Sequence, residues 1–534
     1  MALALLAFPA FAWFSWHDGL ATVSDDSVSY LVQARVYAGT AGAAVREWLG
    51  NAAHFPPLFP LLLAATGAAD DFLRAHLVVA ACAAAAVAAL HAFVDAVAGR
   101  RAAALVVALF LVTPTAWVSE LGLLSEPLYL LLSFAALAWH ARRAAGAGAG
   151  TGTASRIVLG ALLAAALLAR SAAAALVGAY AVWAFVRAWK REERPGPLAL
   201  PLVPAALAMA AWLTLRPPLQ GENYAQVLRN AWGLLAAAPA FFGAKSAEYL
   251  GNAWIGSFTA ESHVYGVTRA LLLAAALLAV AGAVRAAALN RLDGWYALAY
   301  AAMLAFWLFP EETTRRLLYP LVPLALLHAG EAVHAVARRL LPARASAVVG
   351  VGGAVLAALS LPAMALVASK AADRAPVMKI SPLAYSGITE YYTVIPVKPA
   401  REIAGRQLAV LAGLAEIERF TPPGARVLWM RPDYIAVLAH RTGVASYYRE
   451  GMEGVVRTLL DTGARYVVVS SLYKADIRGD ALDPIVTPAS VAPFAHALFI
   501  VRNPVADIDE FALLEVDRAA LERYAATLPG MRAR

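Results

Sequence analysis

Long apolar stretches separated by short polar segments fill the first two thirds of the chain. They run at about 2–16, 72–97, 102–118, 123–141, 157–169, 171–188, 198–215, 267–284, 294–309, 317–337 and 346–369. A helix that crosses a bilayer needs roughly 20 mostly apolar residues, so the pattern predicts eleven membrane spans. Arg170-Ser171 interrupts one long apolar run, and the two halves count as separate spans because only then does the charge alternation between loops hold. The pattern changes after residue 369. Arg426-Val-Leu-Trp-Met430 follows the turn Pro422-Pro-Gly424, Arg465-Tyr-Val-Val-Val-Ser470 follows Thr462-Gly463, and Ala497–Val501 and Phe511–Glu515 read as later strands. With helical periodicity at about 400–419 and 450–461, the tail predicts a small α/β domain.

Composition sharpens this picture. Hydrophobic residues make up 61% of the chain and charged residues 15%, with a mean hydropathy of +0.64; soluble domains average about 25% charged. An ordinary soluble enzyme is excluded. Residues 370–534 carry 38 of the 80 charges, which sets off an α/β domain at 370–534 from a membrane domain at 1–369. The net charge of +8 does not point to nucleic acid, because much of the excess is Arg in short loops that orient helices in a membrane. Those loops hold Arg100 and Arg101; Arg142, Arg143 and Arg156; Arg187, Lys190, Arg191 and Arg194; Arg285 and Arg291; and Arg338, Arg339 and Arg344. They read as cytoplasmic. The opposite side takes the long loops 18–71 and 216–266, the segment near Trp117–Pro127 and the turn at 310–316. An odd span count sends the tail to the outer face. The first apolar segment lacks a basic n-region, although Ala10-Phe11-Ala12 resembles a cleavage site, and it reads as a first span. One cysteine, Cys82, permits neither an intramolecular disulfide nor a Cys-based metal cluster.

Ionisable groups at or near membrane depth are costly and mark function by default. The densest polar feature on the outer side is Ser24-Asp25-Asp26-Ser27-Val-Ser-Tyr30, opening a helical stretch from Val28 to Tyr37. Asp at a helix start caps backbone N–H groups. The same placement suits a general base, because neighbouring carboxylates bias each other's protonation and one held ionised can take a proton from a hydroxyl. His328-Ala-Gly-Glu331-Ala-Val-His334 has a spacing that puts metal ligand types near one helix face, but its order is not HExxH and it lies toward the cytoplasmic end. It reads as a polar helix face, as do His91 and Asp95. The glycines of Gly146–Gly152 lack the strand context of a dinucleotide loop and carry no chemistry. No Walker loop, dinucleotide fingerprint or zinc-protease motif occurs.

Several short motifs, taken in order, resemble the GT-C superfamily of membrane glycosyltransferases. They are Asp25-Asp26 with Tyr30 and Ala34-Arg35; His54-Phe-Pro-Pro-Leu-Phe-Pro60-Leu-Leu-Leu; Ser125-Glu126-Pro127-Leu128; Ala169-Arg170-Ser171; and Arg315-Arg316-Leu-Leu-Tyr-Pro320-Leu-Val-Pro323. The branch they are most similar to is glycosyltransferase family 39 and its relatives, which include protein O-mannosyltransferases and the lipid A aminoarabinose transferase. The resemblance covers about 1–340. It implies a GT-C type fold that moves a hexose or pentose from a polyprenyl-phosphate donor, without a nucleotide sugar, to a hydroxyl acceptor on a lipid, glycan or protein, with inversion. The implied location is the bacterial inner membrane, multi-pass, with the α/β domain periplasmic.

Through the resemblance, Asp26 is the first choice of base, with Asp25 as the alternative, and Glu126 is a second acid that orients the acceptor or helps hold a cation. Arg170, Arg315 and Arg316 fall to the lipid phosphate, whose developing charge needs forked donors. Tyr30, Arg35, His54, Lys245 and Arg269 are further candidates for substrate contact. No dedicated metal site is expected, a divalent cation is compatible with the acids, and membrane lipids are the other implied partners. A non-enzymatic lipid-linked glycan transporter or assembly factor is the competing class. It would place charges in pairs along the midplane or show internal repeats, whereas here the acids cluster at one face.

Overall fold

A computed structural model describes residues 2–15, 25–118, 122–144, 152–218, 224–259, 264–309, 311–372, 397–429, 431–445, 451–470, 486–503 and 508–531. The chain opens with α1 (Ala2–Ser15), then α2 (Asp25–Ala38), α3 (Ala43–Glu47), α4 (Leu49–Ala52), α5 (Leu58–Ala65), α6 (Phe72–Ala98), α7 (Arg100–Val112) and α8 (Pro114–Val118). It continues through α9 (Glu126–Ala144), α10 (Thr153–Ala169), α11 (Ala174–Trp189), α12 (Pro195–Ala199), α13 (Leu202–Leu215), α14 (Tyr224–Ala237) and α15 (Pro239–Gly256). The last membrane elements are α16 (Gly266–Ala288), α17 (Leu292–Trp307), α18 (Glu311–Leu317), α19 (Leu321–Leu340) and α20 (Ala345–Ala372).

Every apolar stretch coincides with helix, and the chain is a multi-pass membrane protein. Among the described residues, four helical segments are long and apolar enough to cross a bilayer by length and composition: Phe72–Ala98, Ser171–Trp189, Gly266–Ala288 and Pro342–Ala372. The remaining apolar stretches form shorter or interrupted helices. Proline explains two of the interruptions. Pro114 follows extended Thr113 and divides the third stretch into α7 and α8, and Pro201 separates α12 from α13. Arg170 ends α10 with extended backbone (φ −157°, ψ 133°), and a 3-10 turn at Ser171–Ala173 restarts the chain as α11. The two weak apolar halves are therefore distinct helices.

Small residues let these helices approach closely, as expected where lipid supplies no hydrophobic force between them. Gly282 of α16 lies under the backbone of α19: an added Cβ would sit 2.1 Å from the carbonyl oxygen of His328. Phe11 of α1 is buried and packs 4.7 Å from the Trp117 ring. The polar constellation on α19 is a helix lock. Glu331 meets Arg291 at 2.7 Å, Arg291 meets Asp293 at 2.6 Å, and His328 lies 3.4 Å from Glu331, so α17 and α19 are pinned together. Gly146–Thr151 lies outside the described residues, and Gly152 is the N-cap of α10.

The two long loops expected at 18–71 and 216–266 are largely helical among the described residues. The first folds as α2 to α5 and the second as α14 and α15; α2 and α5 bury an apolar face, and in the second loop α15 does so through Phe242, Trp254 and Ile255. In the tail, α21 (Val397–Phe420), α22 (Pro432–Leu438), α23 (Gly451–Thr462), α24 (Pro488–Val491) and α25 (Arg518–Ala525) surround a mixed sheet. Its strands β1 (Arg426–Leu428), β2 (Thr442–Val444), β3 (Tyr466–Ser470), β4 (Ala495–Asn503) and β5 (Ile508–Val516) lie in the order β2-β1-β3-β5-β4. β1 runs parallel to β2 and β3, while β5 pairs antiparallel with β3 and β4. The expected strands all form; β2, too short to show a period, is an addition.

One face of this sheet packs with α23 and α25, and the other does not stop at the tail. Val410, Leu414, Trp429, Tyr434 and Phe511 share a single buried cluster with Val28, Leu31, Phe59 and Val79 of the first long loop and α6. Polar contacts sew the same seam. Arg35 donates from Nη1 to the Val437 carbonyl at 2.8 Å, and Thr442 donates to Glu47 at 3.2 Å.

Candidate active site

The site is a closed circuit of side chains from four separate stretches of sequence. α2 begins at the acid pair, and the Asp26 side chain, about one fifth exposed, meets Arg316 Nη2 at 2.5 Å. The short helix α18 delivers Arg316, whose Nε lies 3.0 Å from Glu126 Oε1. Glu126 opens α9 and is 1% exposed; its other oxygen lies 2.8 Å from Arg170 Nη1. Arg170 reaches it because the chain is extended at the break between α10 and α11, and the same nitrogen donates to Ser125 Oγ at 3.2 Å. Ser125 Oγ lies 2.7 Å from the Tyr30 hydroxyl. Tyr30 stands four residues after Asp26, on the same helix face, so the circuit returns to its start.

Two carboxylates and two guanidiniums balance here. Each Glu126 oxygen is in charge contact with an arginine, yet neither accepts a hydrogen bond of good geometry. Buried acceptors left in this condition are uncommon and concentrate where a molecule does chemistry. The ring of Tyr30 is wedged between Phe55 and Phe59 at 4.9 and 5.0 Å. Burial, opposed by the nearby Arg170, raises the Tyr30 hydroxyl well above its ordinary value, so it stays protonated. His54 Nδ1 lies 2.6 Å from the Asn51 carbonyl, and burial holds the imidazole below its ordinary pKa against the opposing pull of that bond and of Asp26. The ring is neutral near pH 7.

The other residues singled out in the sequence lie elsewhere. Arg35 is buried and faces the tail, paired with Asp70 at 2.7 Å. Arg315 is buried against Gly256, where an added Cβ would sit 2.4 Å from its Nε. Lys245 pairs with Glu248 at 2.9 Å on the exposed side of α15, and Arg269 donates to Asn252 at 3.3 Å. Asp25 opens α2, but its side chain lies outside the described residues. Ser125, the hinge of the circuit, is recognisable in sequence only as the residue before Glu126. Tyr129 and Tyr296 share a 2.6 Å hydroxyl contact, and Tyr300 donates to the Leu317 carbonyl at 2.9 Å. Their signal was available: a phenol inside an apolar span needs a partner. Among the described residues, no group of three or more His, Cys, Asp or Glu could hold a metal ion, and both site acids face arginine.

No family model matches the chain, and no curated protein matches its sequence. Solved structures do match in three dimensions. ArnT from Cupriavidus metallidurans bound to undecaprenyl phosphate is 15% identical, with a TM-score of 0.55 and 97% of each chain covered. The same protein in its apo state gives 14% identity and a TM-score of 0.51 over 97% of this chain and 98% of that one. The Archaeoglobus fulgidus oligosaccharyltransferase in complex with zinc and sulfate gives 12% identity and a TM-score of 0.53, covering 96% of this chain and 73% of the archaeal chain. Together with the helical membrane body and the small terminal sheet, these likenesses establish that the chain shares its fold with ArnT and with the archaeal oligosaccharyltransferase.

Proposed function

We propose that the chain is a glycosyltransferase that moves one hexose or pentose from a polyprenyl-phosphate donor to a hydroxyl on a lipid, glycan or protein, at the outer membrane face and with inversion. The observation that carries this reading is the joining of Asp26, Arg316, Glu126 and Arg170 into one ion-paired circuit around the buried Glu126. The bound undecaprenyl phosphate of the Cupriavidus ArnT structure supports the donor class. Asp26 takes the proton of the acceptor hydroxyl as its oxygen bonds to the anomeric carbon. The bond from that carbon to the phosphate oxygen breaks, and the polyprenyl phosphate leaves with the electron pair. Arg170 and Arg316 meet the charge that builds on the leaving oxygen; preorganised donors of this kind supply a large share of catalysis in dry sites. Glu126 holds both guanidiniums in place, while Tyr30 and neutral His54 border the acceptor side.

Arg170→Lys tests the donor role. Lysine keeps the charge and loses the fork, and loss of one charged hydrogen bond costs roughly 10–100-fold. We expect donor kcat/KM to fall by that factor in purified, correctly inserted protein. Unchanged donor kinetics would remove Arg170 from phosphate binding.

The reading includes eleven spans in a bacterial inner membrane, a membrane domain at 1–369 and a periplasmic α/β domain at 370–534. Protease added to intact spheroplasts should then cleave the tail. A protected tail would overturn the orientation and with it the outer-face site.

A further inference from the structure

A cavity lies away from the ion-paired circuit, between α7, α16, α19 and α20. Its volume is about 640 Å³, inside the ~300–1,000 Å³ range of ligand sites. Its walls are aliphatic, with Leu105, Leu278, Leu327 and Leu356 each contributed by a different helix. Two glycines keep it open. Glycine in a membrane helix normally admits a neighbouring helix, yet a Cβ placed on Gly330 or Gly352 meets no atom within 4 Å. The missing side chains leave room that no protein group uses.

The polar residues of this cavity collect at one end. Arg101, in the first turn of α7, and Ser346, in the first turn of α20, both line it. Arg101 is exposed and makes no hydrogen bond or ion pair with any described residue. Glu331 also lines the cavity, but Arg291 takes up its charge at 2.7 Å. An aliphatic slot with an unpaired guanidinium at its mouth matches a molecule with apolar chains and one anionic head.

We infer that this groove holds a diacyl phospholipid with an anionic headgroup, its phosphate on Arg101 and its acyl chains between the four helices. The inference rests on the proposed orientation, in which Arg101 belongs to a cytoplasmic loop. Basic pockets between membrane helices on that side bind anionic headgroups. Polyprenyl phosphate is the wrong occupant, because the arginines proposed for its phosphate stand at the opposite end of α19: Arg316 precedes Leu321, where the helix starts, whereas the groove is lined by Leu326 to His334.

Native mass spectrometry of the purified full-length chain tests this, after exchange into detergent containing phosphatidylglycerol, phosphatidylcholine or undecaprenyl phosphate. The expected result is retention of one phosphatidylglycerol in preference to phosphatidylcholine. Gly352→Leu, which points into the open space, should abolish retention, and Arg101→Gln should lower the preference about fivefold, the effect of one basic residue near an anionic headgroup. Equal retention of phosphatidylcholine, displacement by undecaprenyl phosphate, or unaltered preference in a folded Arg101→Gln variant would each overturn the inference. Retention is read without any transfer assay, so this site and the proposed reaction can fail independently.

Discussion

Asp26→Asn is expected to insert and fold as the parent does and to lose sugar transfer by about 10²–10⁴-fold, the usual contribution of a positioned base. Asparagine keeps the shape of the side chain and most of its capping ability. It can still accept a hydrogen bond from Arg316, which meets Asp26 at 2.5 Å. What it cannot do is take a proton, so a cap would survive the change and a base would not. The assay is transfer from a defined polyprenyl-phosphate sugar by purified protein, with Asp25→Asn alongside. Asp25→Asn should show a smaller defect if, as the proposed mechanism has it, Asp25 only biases the charge of its neighbour. Near-parental transfer by Asp26→Asn together with a dead Asp25→Asn would move the base one residue. Full activity in both variants and in the double would take this helix start out of the reaction and bring the transporter class forward.

Removing the charge of Glu126 should have the largest effect on stability. The carboxylate is 1% exposed and stands between two guanidiniums at 2.8 and 3.0 Å. Glu126→Gln preserves volume but leaves Arg170 buried without its anion and Arg316 with Asp26 alone among these acids. Breaking a buried pair from one side typically costs about 3–5 kcal/mol, because the surviving charge has lost its compensation. Thermal unfolding of the purified variant should therefore begin well below that of the parent, and Glu126→Asp, which keeps the charge, should fall between them. A parental melting temperature for Glu126→Gln would show that the circuit is not an electrostatic unit.

The sequence exposes the circuit's members far better than their connections. Asp26, Glu126, Arg170 and Arg316 stand out because a charge beside an apolar span is rare and expensive. The break at Arg170 is also visible, since a single Arg-Ser step divides an apolar run that would otherwise be one helix. The pairing of Asp26 with Arg316 is not visible. It joins residues 290 positions apart, and no periodicity carries information over that distance. Arg35 illustrates the same limit: its motif suggests a place beside the acids, but helical geometry turns it toward Asp70 and Val437. The short strand β2 escapes notice because three residues, Thr442–Val444, cannot display an alternation.

The core shared by the first long loop and the tail also orders events during synthesis. Arg35 meets Val437 across 402 residues, and Thr442 meets Glu47 across 395. At the usual ~5–20 residues per second, the ribosome needs roughly 20–80 s to cover that separation. Through that interval the helix bearing Asp26 is already made and packed on Phe55, Phe59 and Val79 but lacks the part of its cover that the tail supplies, so it matures fully only when the last third of the chain arrives. Nascent chains halted near residue 400 should accordingly show α2 open to protease, and released full-length chains should show it closed. Protection already present in the halted chains would mean that the loop folds without the tail.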